Sequence, residues 1–300
     1  MSRSAAWPAM RESIRHGFAV ARAVAGLALA LFTRDRRRYW QSRIRLAGAR
    51  GEADMVADPA EQFYARLYLE AVTAAAPAGR HLKILDLGCQ AGRLAIPLAR
   101  TGHHVTGVDR SRRWIERCRA HAAEAGVEIN LLCEDAASAL ARFSAGAFDL
   151  VLATELLYTL PDHREVLGGL ARLLAPGGRL VASHRTRYYL LATLVRYRLY
   201  PEARRVLAAS EGSVLGTYYN WFDAGELDRV YRAAGLRILE RRGIGALSGL
   251  GVDGLARLAS PARLGAAERE ELLALERACG PEYAGQARYL LVVAARAGEP

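Results

Sequence analysis

Residues 82–100, LKILDLGCQAGRLAIPLAR, restrict the fold more than any other stretch of the chain. Leu82, Ile84, Leu85 and Leu87 make the short apolar run that a parallel strand covered on both faces requires. Asp86 falls at the end of that run, Gly88 and Gly92 bracket a tight turn, and Leu94, Ile96, Leu98 and Ala99 then supply a helical face. A residue without a Cβ at 88 lets the backbone turn sharply and lets a ligand come close. The helix that follows aims its first free N–H groups at the same place. The glycine spacing is G-x-x-x-G, not the G-x-G-x-x-G of dinucleotide-binding folds.

The pattern of strand, turn and helix then repeats. Val105–Val108 reads as a second strand ended by Asp109, at about the distance past the first turn, ~20 residues, at which an acid meets a ribose in dinucleotide folds. The other reading of Asp109 is a cap for the helix that starts near Ser111. Trp114–Ala125 reads as a helix stopped by Gly126, Val127–Cys133 as a third strand followed by Glu134, Asp135 and Ala136, and Phe148–Tyr158 as a fourth strand and its exit. Asp162 and Glu165 have capping-box spacing, which places His163 in an exposed first turn. In Leu173–Ser183 a helix ends, Pro176-Gly177-Gly178 turns the chain, and a fifth strand begins.

His184 ends that strand. A histidine with a pKa near ~6.5 suits proton removal from an acceptor, and the alternative is a hydrogen-bonded strand-end residue. Residues 185–222 are rich in tyrosine and arginine. Leu190–Leu199 reads as a helical packing layer, whereas Gly216–Trp221 (GTYYNW) reads as part of a site with flat walls and polar tips. Arginines there suit a carboxylate or phosphate. Asp223 caps a helix that ends near Gly235, Leu236–Ile244 is a sixth strand, Gly245–Gly265 a glycine-rich loop, Ala266–Cys279 an amphipathic helix and Ala287–Ala297 the last strand.

In their order and spacing, DLGCQAG (86–92), VTGVD (105–109), EDA (134–136), FDLVLATELLY (148–158) and LAPGG (174–178) resemble the class I S-adenosylmethionine (SAM) methyltransferases. The usual first motif of that family is D-x-G-C-G-x-G, and Gln90 stands where its middle glycine is found. The resemblance implies an α/β fold with a seven-stranded, mostly parallel, doubly wound sheet whose last strand enters antiparallel. Residues 1–51 read on their own pattern as an N-terminal helical extension, and the resemblance, which spans roughly residues 62–297, implies a methyltransferase domain over 52–300 with an acceptor lid inserted at 185–222 between strands five and six. It implies SAM as cofactor, surrounded by Asp86, Gly88, Cys89, Gln90, Gly92, Asp109, Arg110, Asp135, Ala136 and Thr154. Asp135, or its neighbour Glu134, would meet the adenine.

By the same resemblance Glu155 and Tyr158 fall near the methyl group, with His184 as candidate base. Tyr188, Tyr218, Tyr219, Asn220 and Trp221 would contact the acceptor. The implied chemistry is in-line attack on a sulfonium-bound methyl, for which the protein mainly positions two groups and excludes water. The favoured acceptor is a small or lipid-like molecule, methylated at oxygen or another nucleophilic atom. The alternatives are an RNA methyltransferase and a SAM-binding scaffold without turnover. ATEL (153–156) stands where an Asn-Pro-Pro-Tyr-type motif serves methylation of base amines, which disfavours a nucleic acid partner.

Composition narrows the setting. Hydrophobic residues make up 52% of 300, enough for a sizeable core. The four cysteines form no C-x-x-C pair, which argues against zinc and disulfides and fits a reducing, cytoplasmic compartment. No divalent-metal cluster is apparent, so no metal is expected. The net charge is +11, and Lys83 is the only lysine. Such a balance suits an anionic partner or reflects an arginine-rich codon bias.

Residues 7–40 carry Arg11, Arg15 and Arg22 on one helical face, Met10, Ile14, Phe18 and Ala21 on another, an apolar run over 23–32, and then Arg34, Arg36, Arg37, Arg38, Tyr39 and Trp40. The apolar part is shorter than the ~20 residues of a membrane span, and arginines replace the small residues of a signal-peptide cleavage site. Two readings lead, a helix lying on an anionic membrane surface, with the chain peripherally attached, or a helix packed on the domain or on a second copy, and a true span or signal is the third. The sequence does not specify the oligomeric state.

Overall fold

The computed structural model describes residues 20–49, 54–76, 81–248 and 260–298. Its centre is a seven-stranded sheet built from β1 (Lys83–Leu87), β2 (His104–Val108), β3 (Asn130–Leu132), β4 (Phe148–Ala153), β5 (Leu174–Arg185), β8 (Leu236–Ile244) and β9 (Tyr289–Arg296). The strand order is β3-β2-β1-β4-β5-β9-β8. The first five strands are parallel, and β9 runs antiparallel to both β5 and β8. From β1 the chain moves outward to β2 and β3, then returns to the other side of β1 to form β4. This reversal opens a crevice at the carboxyl ends of β1 and β4, where ligands bind in open α/β sheets.

Period-two alternation divides the core. Leu85 and Leu87 face one layer with α6 (Ala136–Arg142), α7 (His163–Leu173) and α10 (Ala224–Ala233). Ile84 faces the other, with α3 (Pro59–Ala75), α4 (Ala95–Arg100) and α11 (Ala266–Cys279). α5 (Arg112–Glu124) buries Trp114, Ile115 and Cys118. The helix starts follow local chemistry. Asp58 caps α3, accepting from the N–H groups of Ala60 and Glu61 at 2.9 and 3.1 Å. Asp223 and Glu226 form a reciprocal capping box on α10.

Two local expectations change. The third strand is shorter than Val127–Cys133, and only Asn130–Leu132 pair with β2. Asp162 makes no capping bond, and His163 is buried rather than exposed, with Nδ1 3.2 Å from the Leu160 carbonyl and its ring against Phe222. Docking of the α7 start under the 185–222 insertion overrides the local capping preference.

That insertion folds as α8 (Arg187–Arg196), α9 (Tyr200–Ala208) and a hairpin of β6 (Glu211–Val214) and β7 (Thr217–Asn220). The N-terminal extension packs on it. Helix α1, described over 20–32, and α2 (Arg36–Ala49) are joined by a turn through Arg34 at φ +55°. A Cβ at Gly26 would stand 2.6 Å from Ser42 Oγ, so the two helices approach closely. Trp40 rests on Tyr197 with ring centroids 4.0 Å apart, and Arg37 pairs with Glu202 at 2.6 Å. No described helix is long and apolar enough to cross a membrane. Met10, Arg11, Ile14, Arg15 and Phe18, and much of the glycine-rich loop, lie outside the described residues.

Candidate functional site

The β1 turn is held to the tip of β2. Gly88 and Cys89 donate to the Val108 carbonyl at 2.8 and 3.0 Å. Gln90 donates its backbone N–H to Asp109 Oδ2 at 3.1 Å, and Asp109 Oδ1 accepts from Ser111 N at 2.8 Å. Asp109 thus ties the β1 turn to the segment entering the next helix, and its place at the β2 tip puts it at the edge of the crevice. Gly88 and Gly92 take φ +83° and +93°, the left-handed region open to glycine. A Cβ at Gly92 would lie 2.8 Å from both Cys118 Sγ and Ile96 Cδ1.

Gln90 also adopts a left-handed backbone, φ +44°, so the turn keeps its path without the usual glycine. Its Oε1 is buried and accepts no hydrogen bond from the described residues. Asp86 is buried beneath the turn, and burial, reinforced by the charge of Asp109 and opposed by Arg93, pushes its carboxyl up to about 7.

The exit of β4 completes the crevice. Thr154 is buried, and Glu155, at φ +55°, donates its N–H to Ser183 Oγ at 2.7 Å. Arg93, just past Gly92, bridges Glu155 at 2.9 Å and Glu61 of α3 at 3.1 Å, and lies 5.0 Å over the Tyr68 ring. Burial raises the Glu155 carboxyl, but Arg93, a hydrogen bond from Tyr289 and the charge of Arg288 together outweigh it and hold the group below its usual range. Burial and the nearby Glu155 together lift Glu61. The sequence reading missed Arg93, because its partners lie 32 and 62 residues away.

The other expected residues divide. Cys89 is buried in the turn. Asp135 caps α6 through Ser138 N at 2.9 Å and is exposed, Ala136 starts that helix, Glu134 pairs with Arg142, and Arg110 is exposed. Tyr158 is buried at the crevice, its ring stacked on Tyr219 at 6.2 Å and 18°.

His184 does not reach the crevice. It points into the opposite layer, fully buried, with Nε2 2.8 Å from Tyr231 Oη and its ring against Phe222. Burial drives its pKa down to about 3, so it is a neutral core group and not a base poised near neutrality. Trp221 and Asn220 are likewise core anchors. The Trp221 indole donates to the Val206 and Ala209 carbonyls at 3.0 and 2.6 Å, and Asn220 Nδ2 donates to the Leu157 carbonyl at 2.8 Å. Tyr188 is 50% exposed, and Tyr218 donates to Glu211 on the outer hairpin. Of the five expected acceptor contacts, Tyr219 alone is in contact with the Tyr158 wall. Among the described residues, no group of three or more His, Cys, Asp or Glu is arranged to hold a metal.

Comparison with known proteins bears on this geometry directly. A family model described as a methyltransferase domain matches residues 84–178, the span from β1 into β5. The ubiquinone biosynthesis O-methyltransferase of Chromobacterium violaceum is 34% identical over 184 residues, covering 59% of this chain and 72% of that protein. The chain belongs to the class I SAM-dependent methyltransferases. Two of the other relatives with the same name match over only about two fifths of their own length.

Solved structures share the fold. The Burkholderia thailandensis 1,6-didemethyltoxoflavin-N1-methyltransferase, crystallised with its acceptor and S-adenosylhomocysteine, superposes with a TM-score of 0.51 at 18% identity, over 81% of each chain. The [4+2]-cyclase SpnF superposes with a TM-score of 0.51 at 21% identity, over 77% of this chain and 80% of its own. The second case shows that the class I fold alone does not dictate methyl transfer, so the reaction must be argued from the residues.

Proposed function

We propose that this chain transfers the methyl group of SAM to a small-molecule acceptor, at oxygen or a comparable nucleophilic atom. The observation that carries the reading is the union, at one crevice, of the left-handed Gly88–Gly92 turn, Asp109 at the β2 tip and the Arg93–Glu155 pair at the β4 exit. These residues suit SAM chemically. The unpaired Gln90 Oε1 and Asp109 would accept from ribose hydroxyls, and the bare Gly88 allows close approach. When bound, the cofactor supplies an activated methyl on a sulfonium. The chain's part is to hold Asp86, Glu155 and Arg93 in fixed positions and to wall the acceptor side with Tyr158 and Tyr219, excluding water.

His184 is replaced in this account, and no general base is assigned; acceptors that ionise easily need none. The relatives named as O-methyltransferases support the oxygen assignment. The test is incubation of the full chain with methyl-labelled SAM and a panel of phenols and hydroxy acids. Label transfer that is lost in Asp109→Ala supports the reading, whereas cofactor binding with no transfer to any acceptor favours the scaffold.

A membrane-surface role for the extension is proposed on one further observation. Val24, Leu29, Leu31 and Phe32 of α1 are exposed, Phe32 by 90%, beside the exposed arginines 22, 34, 36 and 38. Co-sedimentation with anionic vesicles that persists after deletion of residues 1–38 would remove it.

A further inference from the structure

Because β9 runs antiparallel, its amino end lies at the carboxyl edge of β5, with Tyr289 opposite Arg185. Two guanidinium groups meet the crevice there, among tyrosine rings. Arg185 lies 4.3 Å from the Tyr289 centroid and 4.9 Å from those of Tyr158 and Tyr189. Arg288 lies 5.0 Å from the Tyr289 centroid and 5.5 Å from that of Tyr64. Arg185 Nη2 reaches the Tyr158 and Tyr289 hydroxyls at 3.4 and 3.3 Å.

Neither arginine forms an ion pair among the described residues. Arg185 Nη1 and Arg288 Nε are both buried and find no acceptor among the described residues. By contrast Arg93, in the turn before α4, is paired with both Glu61 and Glu155. Arg288 still acts at longer range on Glu155 and Glu61, working to lower both carboxyls, but no carboxylate among the described residues forms an ion pair with Arg185 or Arg288. Leaving buried N–H groups of a cation unpaired is costly, and a fork of such donors matches a planar or tetrahedral oxyanion.

We propose that Arg185 and Arg288 form an anion subsite, so that the acceptor is a flat molecule bearing a carboxylate or phosphate. The anion accepts from Arg185 Nη1 and Arg288 Nε, and the body of the acceptor lies along the Tyr158 and Tyr219 rings toward Glu155. The inference rests on the methyltransferase reading, because it uses the same crevice from the acceptor side.

The experiment is calorimetric titration of the full chain, with S-adenosylhomocysteine present, against benzoate, phenyl phosphate and the neutral benzamide. The expected result is that one of the two anions binds roughly tenfold tighter than benzamide, with a preference that shrinks as salt is raised. The tighter of the two assigns carboxylate or phosphate. Arg288→Gln and Arg185→Gln should remove most of that preference, Arg288→Lys should keep part of it, and affinity for S-adenosylhomocysteine should change little. Benzamide binding as tightly as both anions, or no preference for any probe in the wild-type chain, overturns the subsite even if a variant fails to fold. Binding of S-adenosylhomocysteine in the same samples separates the two claims. Its presence without anion preference defeats the subsite alone, and its absence removes the reading beneath it.

Discussion

Gln90 carries a conformational cost that a glycine would not. A side chain in the left-handed region costs roughly 1–2 kcal/mol, and Gln90 pays it at φ +44° while burying an unpaired Oε1. Gln90→Gly should therefore raise stability by about 1 kcal/mol in thermal or urea unfolding. If the amide oxygen serves the cofactor, the same variant should weaken S-adenosylhomocysteine by about 1 kcal/mol. A less stable variant would mean that the side chain is held by more than the turn. His184 gives a pH prediction. Its folded pKa, about 3, lies below the ordinary ~6.5, so the unfolded chain binds the extra proton between those values. Stability is fully present above ~6.5 and falls as pH drops toward 3. His184→Gln, which can still bond Tyr231, should flatten that acid limb in unfolding curves recorded from pH 7 to pH 4. An unchanged limb would show that other groups dominate acid unfolding.

At the scale of elements, most parts that follow from nearest neighbours were legible, the Asp162–Glu165 capping spacing excepted, and the parts that follow from distant contacts were not. The β1 run, the Asp223 cap and the strand Leu236–Ile244 depend on periodicity and local hydrogen bonds, and each is found where the sequence places it. His184 and Trp221 sit at strand ends that look like site positions, but alternation along β5 and the closing of the β7 hairpin turn them into the core. Arg93 shows the converse, a site residue whose partners come from α3 and the β4 exit. Because it ties three elements together with little exposure of its own, removing it takes the ion-pair partner from two largely buried carboxylates. Arg93→Met should cost about 3–5 kcal/mol of stability, and the double change with Glu61→Gln should recover part of it. A loss below ~1 kcal/mol in urea unfolding would show the network to be solvated.

For the whole molecule, the sheet order, the turn after β1 and the Asp109 brace define a class I methyltransferase scaffold, with a helical hairpin and a tyrosine-rich insertion packed beside its acceptor edge. Net charge and composition could not locate the arginines that matter, because Arg185 and Arg288 come together only when β9 is laid antiparallel beside β5. The most direct test of the account is calorimetric titration of the intact chain with S-adenosylhomocysteine, repeated on Asp109→Ala. The account predicts one site per chain, weakened in the variant by about 1.5–3 kcal/mol as a charged acceptor is lost, with the fold unchanged by circular dichroism. No binding by the folded wild-type chain, or equal binding by Asp109→Ala, would contradict it.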